Sequence, residues 1–212
     1  MLHCLNCDSL IAEQDLVCLS CGAKPPAKRT KTLNTNFTLF TICWTVAGLT
    51  ALFLALMVLT QGRNADGVRP LILIFLIAYF SGGILMCMLH YRLWKLIPKD
   101  VAQTTPGKAV GFMFIPFFNF YWISVSYLGL SKGLTEMLRH REIQSPISHA
   151  LSITFGILFV IPASTWEKEP TLIVLHVLLQ CIVGILFYRS AKNGAVALLK
   201  HGKEETQERD AM

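Results

Sequence analysis

Long apolar stretches alternate with short polar segments over most of this sequence. Residues 37–60 and 71–89 contain no Asp, Glu, Lys or Arg. A helix needs about 20 apolar residues to cross a hydrocarbon core about 30 Å thick, so these stretches predict membrane spans over 37–60 and 71–92. Two shorter apolar stretches, joined by the polar turn TWEKEP, predict a helical hairpin with spans over 147–164 and 171–189. The pattern therefore predicts an all-α membrane bundle of four transmembrane helices.

A fifth apolar stretch, 109–130, is long enough to span but contains Pro116 and Asn119. Pro116 would remove a helical hydrogen bond, and the Asn119 amide would need polar partners inside hydrocarbon. Aromatic residues cluster over 117–122, which is typical of a membrane interface. We expect residues 109–122 to form a re-entrant or interfacial segment.

An amphipathic helix is predicted to follow this segment, over residues 123–141. Its apolar positions repeat every three or four residues, which keeps them on one helical face. Such a helix would lie along the inner leaflet of the membrane. The apolar positions are Ile123, Tyr127, Leu130, Leu134, Met137 and Leu138.

The distribution of basic residues distinguishes a returning segment from a fifth crossing. If residues 109–130 return to the side they entered from, only Arg63, Arg69 and Lys168 lie opposite the remaining 16 of the 19 Lys and Arg residues. If they cross, the split becomes 9 to 10. Because cytoplasmic segments are enriched in Lys and Arg, the count favours four crossings with both termini in the cytoplasm.

Composition agrees with a membrane protein and explains the positive net charge. The chain is 53% hydrophobic and 15% charged, with a mean hydropathy of +0.52, values that exclude an ordinary soluble domain. The net charge of +6 lies mainly beside the apolar stretches, so a lipid bilayer is favoured over nucleic acid as the partner. In and beside a predicted basic linker, 25–36, the side chains expected to contact anionic headgroups are Lys24, Lys28, Arg29 and Lys31. A charged tail is predicted over residues 200–212. Residues 1–10 lack the basic and apolar regions of a signal peptide, so we expect the first span to act as the targeting signal.

Four cysteines near the N-terminus have the spacing of a metal site. Cys4 and Cys7 form one CxxC pair and Cys18 and Cys21 a second, ten residues later. Two such pairs supply four thiolates for one tetrahedral Zn²⁺ with no open position, which is a structural site. A pair of disulfides is the alternative, but it requires an oxidising compartment. Residues 1–24 are therefore predicted to form a zinc ribbon that folds on binding one Zn²⁺.

The segment Pro106-Gly107-Lys108-Ala109-Val110-Gly111, followed by Phe114-Ile115-Pro116 and Asn119, resembles the signature of a bacterial family of multi-span membrane proteins of unknown function. Tyr91-Arg92 fits the same pattern. The resemblance covers roughly residues 37–195. It implies a multi-span fold, an N-terminal zinc ribbon and a place in the bacterial cytoplasmic membrane, but no reaction.

Ionisable groups inside membranes are costly and mark functional candidates. His176, in the last predicted span, would either relay protons or bond to a neighbouring helix as a neutral ring. His90 and His149 lie near span ends, where an interfacial position accounts for them. Pro116 and Asn119 form either a structural elbow or a ligand or ion site.

No catalytic motif is found, so an enzyme is not expected. The favoured function is a membrane-anchored zinc-ribbon protein that binds, scaffolds or senses a cytoplasmic protein partner. The alternative is an oligomeric channel or permeability effector built on the Pro116/Asn119 elbow. Assembly as a homo-oligomer is compatible with both functions.

Overall fold

The structure, a computed structural model, describes residues 2–3, 10–11, 26–61, 68–98, 101–115, 117–144, 146–161 and 170–211. These residues are almost entirely helical, apart from two short strands and the connecting segments. The elements are β1 (Leu2–His3), β2 (Leu10–Ile11), α1 (Pro26–Gln61), α2 (Val68–Trp94), α3 (Pro106–Gly111), α4 (Phe118–Ile123), α5 (Gly129–His140), α6 (His149–Val160) and α7 (Pro170–Ala211). A 3₁₀ turn, Phe112–Phe114, extends α3, and a π-helical turn, Ser124–Leu128, joins α4 to α5.

Three of the described helices are long and apolar enough to cross a membrane. They are Arg29–Thr60, Val68–Trp94 and Leu172–His201, with mean hydropathies of 2.3, 2.4 and 2.1. Their outward faces expose large apolar side chains, among them Leu59 and Phe80. A soluble monomer rarely exposes so much contiguous apolar surface, whereas a lipid-facing surface requires it.

The stretch predicted as the third of four spans, 147–164, forms a shorter helix than expected. Helix α6 has 12 residues and is about 18 Å long, less than the roughly 30 Å of a hydrocarbon core. It begins after the N-cap Ser148, whose side chain accepts from the backbone N–H of Leu151. It ends at Ile161, which is extended and precedes Pro162 in the sequence. The ring of a proline disfavours helical backbone at the preceding residue.

The first and last long helices, α1 and α7, continue beyond the apolar spans predicted for them. The basic segment predicted as a linker, 25–36, is from Pro26 onward the beginning of α1, and proline suits the first position of a helix. At the other end, the charged tail is helical through Ala211, as the last part of α7. The linker from Pro26 onward and the tail through Ala211 are therefore parts of α1 and α7, not separate segments.

Helix α1 runs antiparallel to α2 and α7, which run parallel to each other. Phe40 near the start of α1 packs on Tyr188, whereas Gly48, two turns further, faces Leu178 and Cys181, which precede Tyr188 in α7. Tyr79 and His90 of α2 bond to Gln180 and Tyr188 of α7, respectively, in the same order along both helices. The beginning of α1 and the C-terminal parts of α2 and α7 therefore lie at the same end of the bundle.

Aromatic side chains fill the centre of the bundle. Trp44 and Phe155 lie with ring centroids 5.7 Å apart, and Phe155 packs edge-on against Tyr127 at 5.2 Å. Edge-to-face contacts of this kind add about 0.5–1.5 kcal/mol beyond the burial of area. The fully or almost fully buried members are Phe40, Trp44, Tyr127, Phe155, Phe187 and Tyr188.

Helix α5 is amphipathic, and the protein itself covers its apolar face. Leu130, Leu134 and Leu138 are fully buried, whereas Lys132 and Arg139 are exposed. The face expected to rest on the inner leaflet is thus occupied by neighbouring parts of the bundle, including α7 and α6. On the exposed face, the hydrogen bond from Arg139 holds the pKa of the Glu136 carboxyl below its ordinary value.

Two glycines allow the Trp44 indole to fit between α2 and α7. A Cβ on Gly184 would lie 2.5 Å from Trp44 Cζ3 and 2.6 Å from Phe155 Cε2, and a Cβ on Gly82 would overlap Trp44 Cδ1. The neighbouring Gly83 has no described atom within 4 Å of the same position. Gly82 therefore has a steric role that Gly83 lacks.

We expect Gly82→Ala to lower stability by about 1–3 kcal/mol, since overpacking displaces the indole or the helix. Gly83→Ala is the matched control and should leave stability unchanged or raise it slightly, because alanine favours helix over glycine. Thermal unfolding of both variants in the same detergent measures the difference. Equal unfolding temperatures for the two variants would contradict the packing around Trp44.

Candidate functional site

The chain reverses direction between α3 and α4 to form a helical hairpin. The carbonyl oxygen of Ala109 on the first arm accepts hydrogen bonds from Trp122 Nε1 at 3.3 Å and Ser126 Oγ at 2.8 Å on the second arm. The rings of Phe112 and Trp122 lie 4.9 Å apart between the arms. We call residues 106–131, excluding residue 116, the returning hairpin. These contacts hold the two arms together.

The reversal uses a strained backbone position and exposes aromatic side chains. Phe117 has a φ of 63°, a conformation uncommon for residues other than glycine. The Phe117 side chain is 87% exposed and that of Phe114 68% exposed. Pro116, which motivated the prediction of an elbow, lies outside the described residues. Asn119 is within α4, and its buried Oδ1 has no hydrogen-bond partner among the described residues.

His90 connects the returning hairpin to both α2 and α7. Trp94 Nε1, on the next turn of α2, lies 3.1 Å from His90 Nε2. His90 Nδ1 lies 3.0 Å from the Tyr188 hydroxyl on α7, and Nε2 lies 2.7 Å from Ser126 Oγ on the hairpin. The ring is fully buried. This His90 junction is a hydrogen-bonded cluster that joins three elements.

The expectation that His90 lies at an interface is therefore wrong. In the sequence His90 lies near the end of an apolar stretch. This position alone places His90 at the edge of the predicted span 71–92. The structure covers that edge with Ser126 and Tyr188, which come from distant parts of the chain. The distance between these residues in the sequence is why no local pattern indicates the contact.

The π-helical turn brings a backbone acceptor to the same junction. It spans Ser124–Leu128 within an otherwise continuous helix from 118 to 140. The Ser126 carbonyl oxygen accepts from Trp94 Nε1 at 3.2 Å. Single π turns often occur at functional or structurally constrained positions. Here the turn places both the side chain and the carbonyl of Ser126 on the His90 junction.

An apolar groove of about 300 Å³ lies between the second arm of the returning hairpin and α6. Gly156 allows the close approach of these helices, because a Cβ there would lie 2.6 Å from Ile123 Cγ2. The described residues lining the groove are Phe120, Ile123, Ser124, Tyr127, Leu128, Ser152, Ile153, Gly156, Ile157 and Ile161. The lining lacks charged side chains among these residues, so the groove favours an apolar occupant.

The four predicted zinc ligands, Cys4, Cys7, Cys18 and Cys21, lie outside the described residues. The strands on either side of the first pair are described: β1 pairs antiparallel with β2, with His3 opposite Leu10. Residues 4–9, which contain CLNC, thus connect two paired strands. In the part of the chain that the structure describes, no group of three or more His, Cys, Asp or Glu could hold a metal ion.

The other site residues predicted from the sequence lie outside the His90 junction. His176 is buried in α7, one turn before Gln180, which accepts from the Tyr79 hydroxyl at 3.0 Å. Arg29 and Lys31 lie in the first turns of α1, as does Lys28, whereas Lys24 lies outside the described residues. Neither His176 nor these basic residues take part in the His90 junction.

The fold defines an all-helical protein built on three helices with the length and hydropathy of membrane spans. Comparisons with protein families, curated proteins and solved structures find no match. The resemblance of residues 106–119 to a membrane-protein family stays a prediction, and function must be inferred from this chain's own residues.

Removing the Tyr188 hydroxyl from the His90 junction should lower the stability of the protein. Tyr188→Phe would leave the buried His90 Nδ1 without its hydrogen-bond partner, which costs about 1–3 kcal/mol. Tyr91→Phe is the matched control, because Tyr91 follows His90 directly but is exposed. Thermal unfolding in detergent should show a clear loss for Tyr188→Phe and little change for Tyr91→Phe. Comparable stability of the two variants would argue against the junction.

Proposed function

We propose that this protein is a membrane-anchored zinc-ribbon protein that binds a cytoplasmic protein partner as a scaffold or sensor component. Residues 1–24 would form the ribbon, held by one structural Zn²⁺ on Cys4, Cys7, Cys18 and Cys21. The helical bundle would anchor it in the cytoplasmic membrane with both termini on the inner side. In this proposal the ribbon supplies the recognition surface and the bundle fixes its position.

The pairing of β1 with β2 is the observation that carries this proposal. In the sequence the first CxxC pair lies between these two strands, and both thiolates of a CxxC pair can reach one ion. Two strands of two residues each bury too little surface to be stable alone, so an added constraint is needed. A four-thiolate zinc site supplies such a constraint.

The attachment of the ribbon to the bundle supports a role in sensing or positioning. Helix α1 begins at Pro26, five positions after Cys21. Strand β1 also contacts α7. The ribbon is therefore connected to one long helix through the chain and to another through contact. Binding of a partner to the ribbon would act directly on two of the three long helices.

The orientation is supported by where the helix ends meet. The beginning of α1, the end of α2 and the C-terminal part of α7 come together around Arg29, Lys95 and Arg141. In the favoured count, this end carries 16 of the 19 Lys and Arg residues. Helix α6 with the residues after it would form the third of the four crossings. The returning hairpin would enter from and return to the basic side.

The half-buried Asn119 favours a second candidate, an oligomeric channel or permeability effector. Its Oδ1 is an acceptor without a described partner near the reversal of the returning hairpin. Aromatic side chains fill the centre of the single bundle, so a pore would have to form between copies of the chain. Leakage of a small dye from liposomes containing the protein, abolished by Asn119→Leu, would favour this function over the first.

We expect one zinc ion per chain, lost in Cys4→Ser and in Cys18→Ser. Each substitution removes one of four thiolates, and the other three leave the site open and weakened. Cys43→Ser and Cys87→Ser, single cysteines within α1 and α2, are the matched controls and should retain zinc. Metal quantification on protein purified without added chelator measures this. Zinc retained equally in all four variants would refute the ribbon.

The scaffold function predicts a cytoplasmic partner whose capture depends on zinc. Full-length protein in detergent should retain from a cytoplasmic extract one or a few proteins that the Cys4→Ser variant loses, while Cys43→Ser retains them. Quantitative mass spectrometry of the bound fractions provides the measurement. An identical set of captured proteins with and without the zinc site would overturn the proposed function.

A further inference from the structure

We propose that the pocket at the basic end of the bundle binds the phosphate of an anionic phospholipid. The pocket has a volume of about 80 Å³ and lies where α1, the end of α2, α5 and α7 converge. Its described lining includes three basic residues, Arg29, Lys95 and Arg141, and the apolar residues Leu96, Pro98 and Met137. This inference rests on the membrane orientation in the proposed function, but not on the zinc ribbon.

The charge of the lining favours an anion. Arg29, Lys95 and Arg141 come from three different parts of the chain, and none of the described lining residues is acidic. On α5, the Glu136 carboxylate already bonds to Arg139 and contacts His140. Three cations around one small cavity repel each other, and a phosphate between them would relieve this repulsion.

Arg141 is held in place by the bundle itself. Its Nη1 donates to the carbonyl oxygen of Leu198 on α7 at 3.3 Å. A guanidinium has five N–H donors, so this bond leaves others for a phosphate oxygen. The bond also fixes part of the side chain before a ligand arrives, which lowers the entropy lost on binding. Arg141 would thus act as the fixed member of the site, and Lys95 as its exposed member.

The apolar part of the lining distinguishes a lipid from a soluble phosphate. Leu96, Pro98 and Met137 line the pocket beside the basic residues and are partly or fully exposed. A free phosphate gains nothing from these side chains, whereas the glycerol backbone of a phospholipid at the mouth of the pocket would bury apolar surface against them. Basic pockets between membrane helices on the cytoplasmic side bind anionic headgroups for this reason.

The size of the pocket defines which part of the lipid it would hold. A volume of about 80 Å³ accommodates a phosphate group but not a whole phospholipid. The acyl chains would therefore lie outside, along the lipid-facing surface of α1. That surface begins with Leu39 and Ile42, about 15 Å along the helix from Arg29.

Native mass spectrometry of the full-length protein, titrated with phosphatidylglycerol or with phosphatidylcholine of the same chains, tests this inference. We expect preferential retention of phosphatidylglycerol, weakened about fivefold by each of Arg29→Gln and Lys95→Gln. Lys95→Arg should retain the lipid, because it keeps the charge. Lys200→Gln is the matched control: it removes an exposed cation near Leu199 but outside the pocket.

Three results would overturn the proposal. They are equal retention of the two lipids, a loss in Lys200→Gln as large as in Lys95→Gln, and displacement of the lipid by glycerol phosphate at similar concentration, which would identify a soluble ligand. Thermal unfolding of the lipid-free variants separates weakened binding from misfolding, and Arg141→Gln is avoided because it breaks a structural bond. The zinc-deficient Cys4→Ser protein should keep the lipid preference, so the two proposals can fail independently.

Discussion

The arrangement of the bundle depends on satisfying the polar groups of a chain that reverses among apolar helices. A reversal breaks the helical ladder and leaves carbonyl groups that water cannot reach inside a bundle or a bilayer. In this protein the Ala109 carbonyl receives two donors from the opposite arm, and Ser126 connects that arm to His90. Every donor involved comes from a helix of the protein itself. The polar groups of Ala109 and Ser126 can therefore be buried without water.

The same contacts position the long helices. His90 belongs to α2, and its other ring nitrogen meets Tyr188 of α7. Trp44 of α1 occupies the space left by Gly82 and Gly184 on these two helices. The hydrogen bonds at His90 and the close packing around Trp44 thus lie at neighbouring positions along the length of the bundle. In an apolar solvent, where burial of hydrocarbon contributes little to helix association, such contacts supply most of the specificity.

This interior determines what the proposed functions require. Aromatic side chains fill the centre of the bundle, and α1 and α7 extend beyond this centre at the basic end. In the proposed function this filled centre would make the bundle a rigid anchor. A scaffold needs this rigidity, whereas a channel would need a second copy to form a path. The proposed lipid site lies at the junction of the same helix ends. Lipid bound there would join α1, α2, α5 and α7 where they meet the inner leaflet.

The sequence by itself determined the all-helical class, the three long apolar helices and the approximate position of the fourth apolar segment. These follow from composition and length, which depend only on neighbouring residues. Pro162 in the sequence could have predicted the short length of α6. The uncharged apolar residues around Pro162 led instead to a prediction of a longer span. Only the tertiary structure decided the burial of His90, the π turn at Ser126 and the covered face of α5. Each of these depends on residues far apart in the chain, such as His90 with Tyr188, whose proximity no local pattern encodes.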